Sequence, residues 1–218
     1  MLLNSDLIPY IKAQLAQPLP GVDAQYRMAP SYRPKLTHDQ IMAYNPRISA
    51  VMVLLYERNN ELHLVFTLRH QYDGVHSGQM SFPGGKREEG DKDLTETALR
   101  EIWEEVGITA DKIEVLGQLS ELYIPPSNFL VYPTVGYAKG MQTFAPQMEE
   151  VDEIVQIPLS FFLDTKNINP QTEIKVYNSQ TVRVPAYIMG KYIIWGATAI
   201  MLSEFTFLIE EAIGKMDA

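Results

Sequence analysis

The sequence of 218 residues predicts an α/β fold, a mixed sheet with helices on its faces. Three observations lead there. Apolar runs of strand length lie both before and after one strongly amphipathic helix, Leu94 to Val106. The two runs ahead of it, Ile48 to Tyr56 and Leu62 to Arg69, are separated by Glu57-Arg58-Asn59-Asn60, a hairpin turn. A second helical run, Ala197 to Ile213, closes the chain.

Each element follows from its own pattern. Residues 4–16 carry Leu7, Ile8, Ile11 and Leu15 at helical spacing, with Asn4 or Ser5 as cap. Pro18, Pro20, Gly21, Pro30 and Pro34 then break the chain into an irregular stretch. Residues 1–46 therefore read as an arm packed on a main domain of residues 47–218. In the second strand Leu62, Leu64, Phe66 and Leu68 share one face. A polar, glycine-bearing loop runs from there to Gly85, and Gly107 ends the central helix. Later strands are expected at Ile113 to Leu122, Leu130 to Ala138, Ile154 to Leu159, Thr172 to Tyr177 and Val182 to Ile188. Asn178-Ser179-Gln180 turns between the last two.

Composition removes several function classes. A net charge of −9 and a pI near 4.9 argue against backbone-driven binding to DNA or RNA. With no cysteine, thiol catalysis, thiolate zinc sites and disulfides are excluded. The longest apolar-looking stretch, Tyr192 to Leu202, is short of the roughly 18 residues of a membrane span. Met1-Leu2-Leu3-Asn4-Ser5-Asp6 has no leader pattern, and Lys215-Met216-Asp217-Ala218 is no organelle address, so a cytoplasmic location is expected. Neither a nucleic acid nor a membrane is therefore expected as partner. A small phosphate-bearing substrate stays open, because a divalent cation can bridge acidic protein to anionic ligand; a homodimer is left open.

The chemistry concentrates on the central helix. At 100° per residue Glu101, Glu104 and Glu105 fall within an arc of about 100°. That arc lies opposite the apolar stripe of Leu94, Ala98, Leu99, Ile102 and Val106, on the side expected to be exposed. Carboxylates so close repel, and Arg100 pairing with Glu104 eases this only in part. An oxygen-only set on a rigid support suits Mg²⁺ or Mn²⁺; alone, such a charge run is also what a solvated helix face looks like. Phe82-Pro83-Gly84-Gly85 ahead of it places two glycines where backbone turns tightly or approaches a ligand.

Gly85 through Ile108, with Arg100-Glu101-Ile102-Trp103-Glu104-Glu105-Val106-Gly107-Ile108, resembles the Nudix box. The second half matches at every fixed position. In the first half, counting forward from Gly85 puts Asp91 at the acidic position with a loop one residue longer. Counting back from Arg100 puts Lys86 and Lys92 where the box has Gly and Glu. The coenzyme A-cleaving branch of the family shares that expansion. Three further segments are similar to that branch: Thr67-Leu68-Arg69 with Gly78 through Gly85, Leu130-Val131-Tyr132-Pro133 with Gly136, and Ile194-Trp195-Gly196-Ala197-Thr198-Ala199. His70 and Gly74 depart from it, standing where the branch has a small residue and a second arginine.

The resemblance implies an α/β/α Nudix sandwich with an N-terminal helical arm and a C-terminal helix. It implies hydrolysis of a pyrophosphate bond with Mg²⁺ or Mn²⁺ held by Glu101, Glu104 and Glu105. Glu104 is a ligand or activates water, and Arg100 orients the carboxylates. Glu150 is the candidate base from a downstream loop, or else part of an exposed acidic turn. Arg69, Gly84 and Gly85 are candidate substrate contacts, Arg69 reading a phosphate or forming a surface ion pair. His76 reads as a polar loop residue; Trp195, Phe205 and Phe207 read as core. The favoured substrate is coenzyme A or an acyl derivative. ADP-ribose, NADH or a nucleoside triphosphate is the alternative within the family, and a non-catalytic nucleotide sensor the alternative outside enzymes.

Overall fold

A computed structural model describes residues 3–70, 78–140, 143–145, 151–176 and 180–216. The helices are α1 (Ile8–Leu15), α2 (Val22–Gln25), α3 (His38–Met42), α4 (Leu94–Val106), α5 (Leu159–Leu163) and α6 (Gly196–Met216). The strands before α4 are β1 (Arg47–Arg58), β2 (Glu61–Arg69), β3 (Met80–Ser81) and β4 (Gly84–Lys86). After it come β5 (Ile113–Gln118), β6 (Leu122–Ile124), β7 (Phe129–Ala138), β8 (Val151–Pro158), β9 (Ile168–Lys175), β10 (Thr181–Met189) and β11 (Tyr192–Trp195).

The sheet is mixed, as expected. Its main path runs β3-β2-β1-β7-β5, with β4 also on β1, β6 on β7 and β8 on β2. β1 and β7 are parallel, whereas β1 and β2 form an antiparallel hairpin. The hairpin turns at Asn59 and Asn60, both at positive φ (52° and 61°), a conformation asparagine tolerates. β1 reads as a continuous apolar run because both its faces are buried. Ala50, Met52, Leu54 and Tyr56 pack with Ala98, Ile102 and Val106 of α4. Val53 and Leu55 enter the opposite core with Ile8, Ile11 and Leu15 of α1 and Leu202, Phe205 and Ile209 of α6. The helix-on-both-faces arrangement is thus an alternation in one strand.

Four features depart from the sequence reading. The segment read as one strand over Ile113 to Leu122 is divided into β5 and β6. The break faces Pro133 of β7, which has no N–H to donate; Leu119 N instead donates to the Pro133 carbonyl at 2.9 Å. Within the glycine-bearing loop, β3 and β4 pair with β2 and β1. Ahead of the closing helix, which begins at Gly196 close to where the sequence puts it, Tyr192–Trp195 forms β11, a strand the sequence reading did not name. Finally, β9, β10 and β11 form a separate three-stranded sheet, with β9, which contains Pro170, at its edge.

Candidate active site

Helix α4 is fixed at both ends. The Asp93 side chain caps its start by accepting from Glu96 N at 2.8 Å, and Gly107 ends it in the left-handed region at φ 79°. Sequence periodicity puts all three glutamates on an exposed arc, and the structure corrects this. Glu101 and Glu105 are 8% and 5% exposed; only Glu104 is half-buried. The reason is that β4 and the turn before it fold back over this side of the helix. Gly84 N donates to Glu105 Oε2 at 3.2 Å, and Thr67 Oγ1 donates to the same oxygen at 3.4 Å. A Cβ at Gly85 would lie 2.4 Å from Glu101 Oε1, and one at Gly84 would lie 2.4 Å from the Ala50 carbonyl. The close approaches that demand glycine here are therefore to Glu101 and to β1.

Arg100 gathers the acidic groups. Its Nε and Nη2 donate to the two carboxylate oxygens of Asp91 at 3.1 and 3.2 Å. Nη1 donates to Glu101 Oε1 at 3.0 Å and to Glu104 Oε2 at 2.9 Å, and Nη2 also reaches the Lys86 carbonyl at 3.0 Å. The Arg100 guanidinium holds Asp91 down at about 2, helped by Glu88 N and Thr97 Oγ1 and opposed by burial. These contacts decide between the two alignments of the box. Asp91 is the buried acid, whereas Lys92 is exposed and pairs with Glu96 along the helix. Gly85, not Lys86, faces Glu101.

Arg69 ends β2, half-buried, its N–H donating to the Gln79 carbonyl at 3.2 Å. Its neighbor His70 pairs through Nδ1 with Asp152 of β8. Gly74, His76 and Glu150 lie outside the described residues. Phe205 is core, as read. Phe207 is half-buried with the Arg27 guanidinium 4.8 Å from its ring, and Trp195 is half-buried along a cavity rather than in the core. Thr67, which touches Glu105, was missed as a functional residue; its place beside Arg69 in the upstream segment was the available signal.

The donor set suits a hard divalent cation: carboxylates alone, on a rigid helix, with glycine at position 85 admitting the Glu101 carboxylate where a Cβ would stand. Among the described residues no three such groups already converge on one point. The contacts above explain why, since Arg100 takes an oxygen of Glu101 and of Glu104 while Glu105 turns to Gly84.

A NUDIX domain model matches residues 46–171. The chain belongs to the Nudix family. It is a pyrophosphohydrolase of that family, whose members generally require divalent metal ions. The human mitochondrial coenzyme A diphosphatase NUDT8 is 35% identical over 162 residues, covering 73% of this chain and 68% of that protein. The mouse peroxisomal coenzyme A diphosphatase NUDT7 is 40% identical over 114 residues, covering 52% and 48%. Nudix hydrolase 15, mitochondrial, of Arabidopsis thaliana is 32% identical over 164 residues, covering 73% and 57%. Among solved structures, the Mycobacterium smegmatis Nudix hydrolase RenU shares the fold with a TM-score of 0.50 at 13% identity, over 78% of this chain and 87% of that one.

These relatives overturn the cytoplasmic expectation, because NUDT8 and Nudix hydrolase 15 are mitochondrial proteins. A cysteine-free composition fits more than one reducing compartment and selects none. No helix among the described residues is long and apolar enough to cross a membrane.

Proposed function

We propose that this Nudix hydrolase cleaves the diphosphate of coenzyme A or an acyl-coenzyme A. The products are adenosine 3′,5′-bisphosphate and (acyl-)4′-phosphopantetheine. One observation carries the reading: similarity to a coenzyme A diphosphatase extends over 73% of the chain, well beyond the box. The segments around Thr67, Leu130 and Ile194 add to it.

In this reading Glu101, Glu104 and Glu105 hold Mg²⁺ or Mn²⁺. The ion, when bound, neutralizes phosphate charge and lowers the pKa of a coordinated water. Arg100 bridges Glu101 and Glu104 and keeps the two carboxylates together despite their repulsion. Asp91 fixes the guanidinium from the other side, which holds Glu101 and Glu104 beside one another. Glu104, the most accessible of the three, is a further ligand or the group that activates water. Glu150 is proposed as the downstream base and Arg69 as a phosphate contact. Gly84 and Gly85 serve the substrate indirectly, by letting β4 lie against β1 and the Glu101 carboxylate.

The test is a panel of coenzyme A, acetyl-coenzyme A, ADP-ribose, NADH and nucleoside triphosphates with Mg²⁺ or Mn²⁺, products identified by mass. Coenzyme A or its acyl form should give the highest kcat/KM. A higher value for ADP-ribose or NADH would defeat this substrate reading. It would favor the second reading, which rests on His70 being committed to Asp152 where the branch carries a small residue.

A further inference from the structure

A cavity of about 280 Å³ opens between β3 and the three-stranded sheet, away from the carboxylates. Strand β3 is the partition. Met80 and its β2 partner Leu68 line the cavity, while the adjoining pair Ser81 and Thr67 point to the other face. There Thr67 Oγ1 lies 3.3 Å from Ser81 Oγ and donates to Glu105. Cavity and carboxylate site are therefore neighbors across one short strand. The far wall supplies Lys175 of β9, Lys191 just before β11, and the rings of Tyr192 and Trp195. Lys191 is held in place, its Nζ 3.1 Å from Glu153 and 4.8 Å from the center of the Tyr192 ring.

In a chain of net charge −9, two lysines and two aromatic rings on one cavity describe an anionic, planar ligand. The volume admits one nucleoside-sized group, being at the lower limit of ligand pockets, roughly 300–1,000 Å³, and not a whole dinucleotide. A pantetheine arm is neutral and would leave the Lys175 ammonium unmatched, whereas Lys191 already meets Glu153. We infer that this cavity binds the 3′-phosphoadenosine end of the substrate, with Lys175 and Lys191 meeting the 3′-phosphate and Trp195 the adenine. The inference rests on the coenzyme A reading for its substrate but on the cavity for its location.

The chain has two tryptophans, so Trp103→Phe leaves Trp195 as the only tryptophan, read by excitation beyond the tyrosine band. In that background, with EDTA present, adenosine 3′,5′-bisphosphate should change Trp195 emission saturably and bind about ten-fold more tightly than adenosine 5′-monophosphate. Lys175→Ala and Lys191→Ala should each remove that preference. Lys175→Ala is the decisive variant, because Lys191→Ala also breaks the contact with Glu153. In turnover, Lys175→Ala should raise KM for coenzyme A and leave 3′-dephospho-coenzyme A unchanged. Equal affinities for the two nucleotides, unmoved Trp195 emission, or equal losses on both substrates would overturn the assignment. Lysine-dependent binding of the bisphosphate without hydrolysis of coenzyme A would uphold the cavity and defeat the substrate reading alone.

Discussion

Two buried polar hubs hold irregular chain to a helix, one on each side of the sheet. On α6, Glu204 is fully buried; its Oε1 accepts from Gly21 N at 3.1 Å and Ser120 N at 3.3 Å, and its Oε2 accepts from Gln25 Nε2 at 2.9 Å. One carboxylate thus meets three neutral donors, and the arm is tied to the C-terminal helix. On α4, a single guanidinium serves Asp91, Glu101 and Glu104, with Glu105 close by. Formal negative charge exceeds positive there, inside a half-closed site. The first hub sets one carboxylate against three donors, whereas the second crowds several carboxylates around one guanidinium, the larger excess that a divalent cation relieves. This contrast separates a structural carboxylate from those proposed for catalysis.

The largest expected effect tests that excess. EDTA should abolish turnover, and millimolar Mg²⁺ or Mn²⁺ should restore it where Zn²⁺ does so poorly. Full activity after thorough chelation would erase the distinction between the hubs.

Next, Glu101→Gln or Glu105→Gln should lower kcat by about 100-fold or more with little change in melting temperature. A glutamine at 105 can still accept from Gly84 N, and loss of one like charge offsets weakened pairing. Near-normal turnover in both variants would remove the metal assignment.

Glu204→Ala should show the reverse pattern. It removes the acceptor of two part-buried N–H groups, on Gly21 and Ser120, and one of the acceptors of Gln25 Nε2, so unfolding in urea should show a loss of about 1–3 kcal/mol. The kcat of the folded protein should hold. Unchanged stability would mean the arm is fastened elsewhere.

The smallest effect is at acid pH. Asp91 lies at about 2 instead of 3.8, chiefly through its hydrogen bond to Arg100. Its contribution to stability is therefore complete above the upper value and is lost as pH falls through the lower one. Asp91→Asn should flatten that part of the stability–pH curve; an unaltered acid limb would show that Arg100 does not depend on it.

The sequence by itself determined the elements whose signals are local. Period and caps delimit α4, the Asn59-Asn60 turn sets the first hairpin, and spacing brings Glu101, Glu104, Glu105 and Arg100 to one side of a helix. Only tertiary structure decided whether that side is wet. Burial of Glu101 and Glu105 comes from β4, a three-residue strand too short to show a period, which docks through pairing with β1. The same holds for Asp91 against Lys92, a choice between adjacent residues made by which one Arg100 can reach. Likewise Trp195 reads as core from its apolar neighbors, yet it lines a cavity because β11 joins a second sheet instead of extending the first. Periodicity describes one element against an unspecified interior, and the identity of what covers each face is a long-range fact.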